Sequence, residues 1–189
     1  METVQEQRLR QRFTLYDKDG DGKIGAADFQ GEANRIVQGL GVSPSSPQAT
    51  ALVNTYTAMF PDPAKVIGGA GDLLGGVTKA ATAAVTVDVS QFVSLINTLM
   101  ISAGEAGFNA FLAPTINAIA KVLDTDGDGM VKAPEYRSWY GAIGLSGDVA
   151  DAAFNAVDTD GDGAVSVQEI VNAVRDFHFG KSNVAMLGQ

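Results

Sequence analysis

The chain has no cysteine and a single histidine, His178, in 189 residues. Disulfides and thiolate metal sites are excluded, and redox chemistry cannot name a compartment. Catalysis needs a nucleophile with a convergent base, but there is no Gly-Xaa-Ser-Xaa-Gly elbow, and Gly68-Gly69-Ala70-Gly71 lacks the lysine and strand of a phosphate-binding loop. An enzyme is therefore not expected. His178, between Phe177 and Phe179, reads as a packed tail residue. Bases are also scarce, at 13 against 22 acids, and those outside the acidic loops are scattered, so no nucleic-acid partner is expected. Met1 to Arg12 is polar and charged, without a signal-like apolar core, and no run of about eighteen apolar residues is long enough to span a bilayer. The expectation is a cytoplasmic protein with no membrane partner. With 46% hydrophobic residues, the chain can fill one compact domain or two closely packed lobes.

Asp-Xaa-Asp-Gly-Asp-Gly is present three times, at Asp17 to Gly22, Asp124 to Gly129 and Asp158 to Gly163. A calcium ion takes six to eight hard oxygen ligands, so a short loop must wrap around it and present alternate residues inward. In the twelve-residue EF-hand frame, positions 1, 3 and 5 give side-chain oxygens, position 6 is the turn glycine, position 7 gives a carbonyl and position 12 closes the shell. The first loop supplies Asp17, Asp19, Asp21, Lys23 through its carbonyl, and Asp28. The second supplies Asp124, Asp126, Asp128, Met130 and Glu135, and the third Asp158, Asp160, Asp162, Ala164 and Glu169. An acidic turn on the surface explains one degenerate copy, but not three complete ones. Three calcium sites are the expectation.

Charge placement agrees. The formal charge is −9, and the three loops hold twelve acids and three lysines (Lys18, Lys23, Lys132), while the remaining ten acids and ten bases cancel. Three divalent ions would take the net charge from −9 to −3, so metal should stabilise the fold. At position 12 the first loop has Asp28, whose shorter side chain reaches less easily for bidentate coordination. Magnesium is therefore a candidate ion there. Position 9 is Gly25, Lys132 and Ser166. Ser166 suits a bridging water, which ranks the Asp158 loop tightest.

Asp17 and Asp124 lie 107 residues apart, leaving room for a hand without an acidic signature. It is placed at Ala80 to Gln91, with Val87 at position 8 and Gln91 at position 12. Ala80, Thr82 and Ala84 stand where aspartates are needed and Val85 replaces the glycine, so no ion is expected. Paired hands bridge through position 8, which predicts Ile24 opposite Val87 and Val131 opposite Val165.

Hydrophobic periodicity predicts helices over 2–16, 26–40, about 47–60, 89–102, 105–123, 134–143, a span capped by Ser146 running to Val157, and 167–177. Gly39 and Gly41 end the second, and Gly104 ends the one over 89–102. Pro114 predicts a break near 110–114, because an interior proline removes a donor and clashes one turn back. Residues 64–85, rich in glycine and alanine, read as a weak helix or a loop, and the sequence does not decide.

The order of active and silent loops, the stretched first pair and the tail Val174 to Gly180 resemble the sarcoplasmic calcium-binding protein family and its bacterial, calerythrin-like branch. The resemblance implies an all-α EF-hand fold of two hand pairs, 1–102 and 103–189, packed into a globule with loop-to-loop β bridges. It also implies calcium buffering or transport, with the tail packed on the body. The alternative is a sensor that opens for a target protein. Sensors use methionine-rich grooves, whereas the five methionines here are scattered. A monomer is expected.

Overall fold

Each of the three acidic hands begins where a helix runs out at an aspartate, and the chain turns helical again nine residues later. The computed structural model describes residues 2–60, 86–145, 147–184 and 186. Thr3 caps α1 (Val4–Tyr16), which buries Leu9, Phe13 and Tyr16. After the first loop come β1 (Lys23–Gly25) and α2 (Ala26–Gly39), which buries Phe29, Ala33, Ile36 and Val37. Ser46 caps α3 (Pro47–Met59), with Pro47 at the first helical position, where its missing N–H costs nothing. The chain resumes at β2 (Thr86–Asp88) and α4 (Val89–Ile96). It continues through α5 (Gly104–Phe111), α6 (Ala113–Leu123), β3 (Met130–Lys132), α7 (Ala133–Ala142), α8 (Gly147–Val157), β4 (Ala164–Ser166) and α9 (Val167–His178).

The two bridges take the predicted register. β1 pairs antiparallel with β2, placing Ile24 against Val87, and β3 with β4, placing Val131 against Val165. All four side chains are buried. Fully burying one such side chain is worth about 1.5–3 kcal/mol. Each bridge thus ties two loops together through an apolar contact as well as through backbone hydrogen bonds.

Three local features refine the expected helices. The span over 89–102 is not α-helical throughout, because a π turn occupies Asn97–Ile101 and the Ser102 N–H reaches the Asn97 carbonyl at 2.7 Å. Carbonyls of that turn press on α5: a Cβ at Gly107 would lie 2.6 Å from the Leu99 oxygen and 2.8 Å from that of Met100. Gly104 stands at this junction with φ +64° and opens α5, so it begins a helix as well as ending the preceding one. The break at Pro114 is present, with α5 and α6 meeting at 44°. Residues 64–85, the ligand positions of the silent loop from Ala80 to Val85, and the Ser146 cap lie outside the described residues.

Packing runs between hands as well as within them. α2 lies on α3, α3 on α6, α7 on α8, α1 on α4, and α2 crosses α7. The last contact is close, since a Cβ on Gly39 would fall 2.6 Å from that of Ala142. The C-terminal helix closes the globule. Arg8, buried on α1, donates to the Phe177 carbonyl and, at 2.6 Å, to that of Ser182, and its guanidinium lies 4.2 Å from the Phe177 ring centre. A cavity of about 60 Å³ remains at the centre, where Tyr56, Thr115, Trp139 and His178 meet.

His178 is 2% exposed. Its Nδ1 faces the Val174 carbonyl at 2.8 Å and so carries the proton, leaving the Nε2 lone pair to accept from Arg12 Nη1 at 3.0 Å. Burial, reinforced by the Arg12 charge, holds its pKa down to about 3 from the ordinary 6.5. Between those values the unfolded chain binds a proton that the folded one does not, so stability is full above about pH 6.5 and falls as the pH drops. Denaturant unfolding of metal-free protein between pH 7 and 5 should lose up to about 1.4 kcal/mol per pH unit below 6.5. His178→Gln should flatten that slope, and an unchanged slope would show that His178 is accessible to protons in the fold.

Candidate metal centre

Each of the three acidic loops starts rigidly. The N–H groups of Asp17, Asp124 and Asp158 still bond back into their entering helices, to Phe13, Ala120 and Phe154, each at 2.9 Å. From this anchor the first aspartate reaches across its loop, and its Oδ2 accepts the N–H of Gly22 at 3.1 Å, Gly129 at 2.9 Å or Gly163 at 3.0 Å. Those position-6 glycines have φ of +78°, +84° and +86°. Position 4 is left-handed too, at Gly20, Gly127 and Gly161. The sequence frame assigned the turn to position 6 alone, although glycine at position 4 in all three copies was a visible signal.

The turns gather the carboxylates. Asp17, Asp19 and Asp21 each present an oxygen within 4.8 Å of the other two, and the same holds for Asp124, Asp126 and Asp128 and for Asp158, Asp160 and Asp162. Two oxygens on one calcium at about 2.4 Å can be at most about 4.8 Å apart, so each triad fits a single ion. One atom fits that requirement especially well. Asp17 Oδ1 is buried without a hydrogen-bond partner among the described residues, whereas its counterparts in the other loops accept from Gly127 at 2.7 Å and Gly161 at 2.8 Å. A buried carboxylate oxygen without a donor is costly unless a cation faces it.

Position 7 opens each strand at Lys23, Met130 and Ala164, whose N–H groups bond to the position-5 aspartate at 2.8, 2.9 and 2.8 Å. Position 12 shows the main difference between loops. Glu135 and Glu169 each span the loop mouth: one oxygen accepts the position-9 N–H, from Lys132 or Ser166, at 2.9 Å. The other accepts both N–H and hydroxyl of the position-2 threonine, Thr125 at 2.9 and 2.6 Å, or Thr159 at 3.0 and 2.7 Å. The Ser166 and Thr159 bonds hold the Glu169 carboxyl down to about 2, so it is ionised throughout the physiological range. Asp28, one methylene shorter, accepts from Gly25 at 2.7 Å and has no bond to position 2 among the described residues. In the silent hand Gln91 keeps the same latch, accepting the Asp88 N–H at 3.0 Å.

The threonines at position 2 were missed in the sequence, where their repetition in Asp-Thr-Asp-Gly-Asp-Gly was the available signal. Ser166 differs from expectation as well. Its hydroxyl accepts the Glu169 N–H at 3.2 Å and donates to Glu169 Oε2 at 2.8 Å, so it caps α9 instead of facing a water site.

The EF hand family model matches residues 9–31 and 149–174. Over 181 residues the chain is 35% identical to calerythrin of Saccharopolyspora erythraea, covering 96% of each protein. The chain belongs to the calerythrin family of EF-hand proteins. A solved structure described for prokaryotic calcium-mediated regulation by a Streptomyces coelicolor calcium-binding protein is 30% identical to this chain, with a TM-score of 0.72 over 93% of this chain and 98% of that one. The calcium-loaded coelenterazine-binding protein of Renilla muelleri is 23% identical, with a TM-score of 0.65 over 100% and 99% of the two chains, and shows the shared fold.

The family and the three carboxylate groups make this a calcium-binding EF-hand protein. Thr159→Val should weaken calcium binding at its own loop by about tenfold, the lower end of the cost of losing a partner that orients a ligand. Glu169→Gln should cost more than the roughly 100-fold upper end. Calorimetric titration of both variants checks the order, and equal affinities for Thr159→Val and the parent would show that the threonine does not position Glu169.

Proposed function

We propose that this protein is an intracellular calcium buffer, monomeric and non-enzymatic, that holds three ions in the loops Asp17 to Asp28, Asp124 to Glu135 and Asp158 to Glu169. The ligands are the position 1, 3, 5 and 12 carboxylates with the carbonyls of Lys23, Met130 and Ala164. The observation that carries the buffering role is the absence of a prepared docking face among the described residues. There the large hydrophobics that stand exposed are Val4 and Leu99, on separate elements, and Met59, Met100 and Met186 are buried. The tail that an external target would have to displace is held by Arg8 and packed through Phe177 and His178.

Site affinities on the order of 10⁻⁸ to 10⁻⁶ M suit this role. The Asp28 latch, which reaches position 9 only, supports a tighter six-coordinate shell and hence magnesium occupancy at the first loop. The second reading, a sensor that regulates a target protein, is favoured by the regulatory description of the 30% identical Streptomyces relative.

Calcium titration in the presence of a dye for exposed apolar surface separates the two. A buffer compacts, so dye fluorescence should fall or stay flat as the sites fill, and a rise would favour the sensor. Millimolar magnesium should compete at one site, and Asp28→Glu should abolish that competition. Competition that persists in Asp28→Glu would move the magnesium site elsewhere.

A further inference from the structure

The three loops each carry four carboxylates but differ in the cation that stands near them. Lys132, at position 9 of the Asp124 loop, turns its ammonium back across the loop. It forms an ion pair with Asp126 and, at 2.6 Å, with Asp128 Oδ2. Both carboxylates belong to the triad whose oxygens lie within 4.8 Å of one another. The lysine is firmly rooted. It is the last residue of β3, opposite Ala164 of β4, and its N–H bonds to Glu135 Oε2 at 2.9 Å.

The other two loops have no such arrangement. Asp158 to Glu169 contains no lysine or arginine, and Lys18 and Lys23 make no ion pair with a loop carboxylate among the described residues. Lys132 is therefore the one described lysine or arginine paired with two carboxylates of a triad. It is positioned as a substitute ion, with one charge against two.

We propose that Lys132 is a tethered competitor for calcium that lowers the affinity of the Asp124 to Glu135 loop and makes it fill after its bridged partner, Asp158 to Glu169. The inference rests on the reading that both loops bind calcium. Calcium wins the exchange because it is divalent and accepts six to eight oxygens, whereas an ammonium donates three hydrogen bonds. It must nevertheless break two ion pairs first. The consequence is a pair of unequal sites, one filled at low calcium and the other acting as reserve capacity when calcium rises. The bridge Val131 to Val165 runs one residue from Lys132, so release of the ammonium and ordering of the partner loop share the same strand pair.

The experiment is calorimetric calcium titration of the full chain as Lys132→Gln, Lys132→Arg and Glu135→Gln, with Lys121→Gln as a control. Lys121 is exposed on α6 and makes the same change in net charge without an ion pair to the loop in the described structure. Lys132→Gln should tighten the weaker C-terminal site by about three- to tenfold, within what two exposed ion pairs support together. Lys132→Arg should remain weak and Lys121→Gln should remain close to the parent. The gain in Lys132→Gln should shrink in 0.5 M salt, since the displaced pair is exposed to screening. Unchanged constants in Lys132→Gln, or an equal gain in Lys121→Gln, would overturn the proposal. Glu135→Gln separates the failures: if it removes no binding event, the loop does not bind calcium and the underlying reading falls, whereas loss of one event with an inert Lys132→Gln sinks the competitor alone.

Discussion

Mutual repulsion among twelve carboxylates in three short loops is the constraint on which the rest of the structure depends. At contact distances in a partly solvated site, like charges cost several kcal/mol per pair, and no hydrophobic term inside the loop can offset that. The chain answers it with directed hydrogen bonds. Glycines in left-handed conformation at positions 4 and 6 turn the loops inward; the first aspartate of each loop accepts the position-6 N–H, and in the second and third loops the position-4 N–H as well. Cations remain necessary, and the molecule offers two kinds of place for them: the triads themselves and, in one loop, the lysine that already leans on two of their members.

The apolar frame exists to hold those loops at fixed spacing. Each loop is clamped at its start by an aspartate N–H bonded into the preceding helix and at its end by a position-12 side chain bonded to position 9. Between the clamps, Ile24 with Val87 and Val131 with Val165 tie the loops in pairs. A hand without acidic ligand positions thus still has a structural use. Gln91 latches onto Asp88 as the ligand-bearing loops latch, and Val87 supplies the strand partner that the first loop requires. The second hand is thus a structural support for the first.

Much of this was legible in the residues. The loop frame, the bridge register and the break at Pro114 follow from spacing and from the chemistry of glycine and proline, which act locally. Features that depend on contacts distant in sequence were hidden. The π turn at Asn97–Ile101 is resolved only where Gly107 packs against its carbonyls, and the Arg8 hold on Phe177 and Ser182 joins opposite ends of the chain. Within the candidate site, the reach of Lys132 was hidden because it depends on side-chain direction across a loop, which a twelve-residue frame does not encode, whereas the threonine anchors at position 2 left their repetition as a signal.

The proposed load is three ions, one in each acidic loop, with the fourth loop as a scaffold. Native mass spectrometry of the intact chain at saturating calcium counts the ions directly. Three calcium ions on a single copy of the chain is the expected result. Four would mean that the silent hand binds despite its missing carboxylates, and two would mean that one acidic loop is occupied by its own side chains instead of metal.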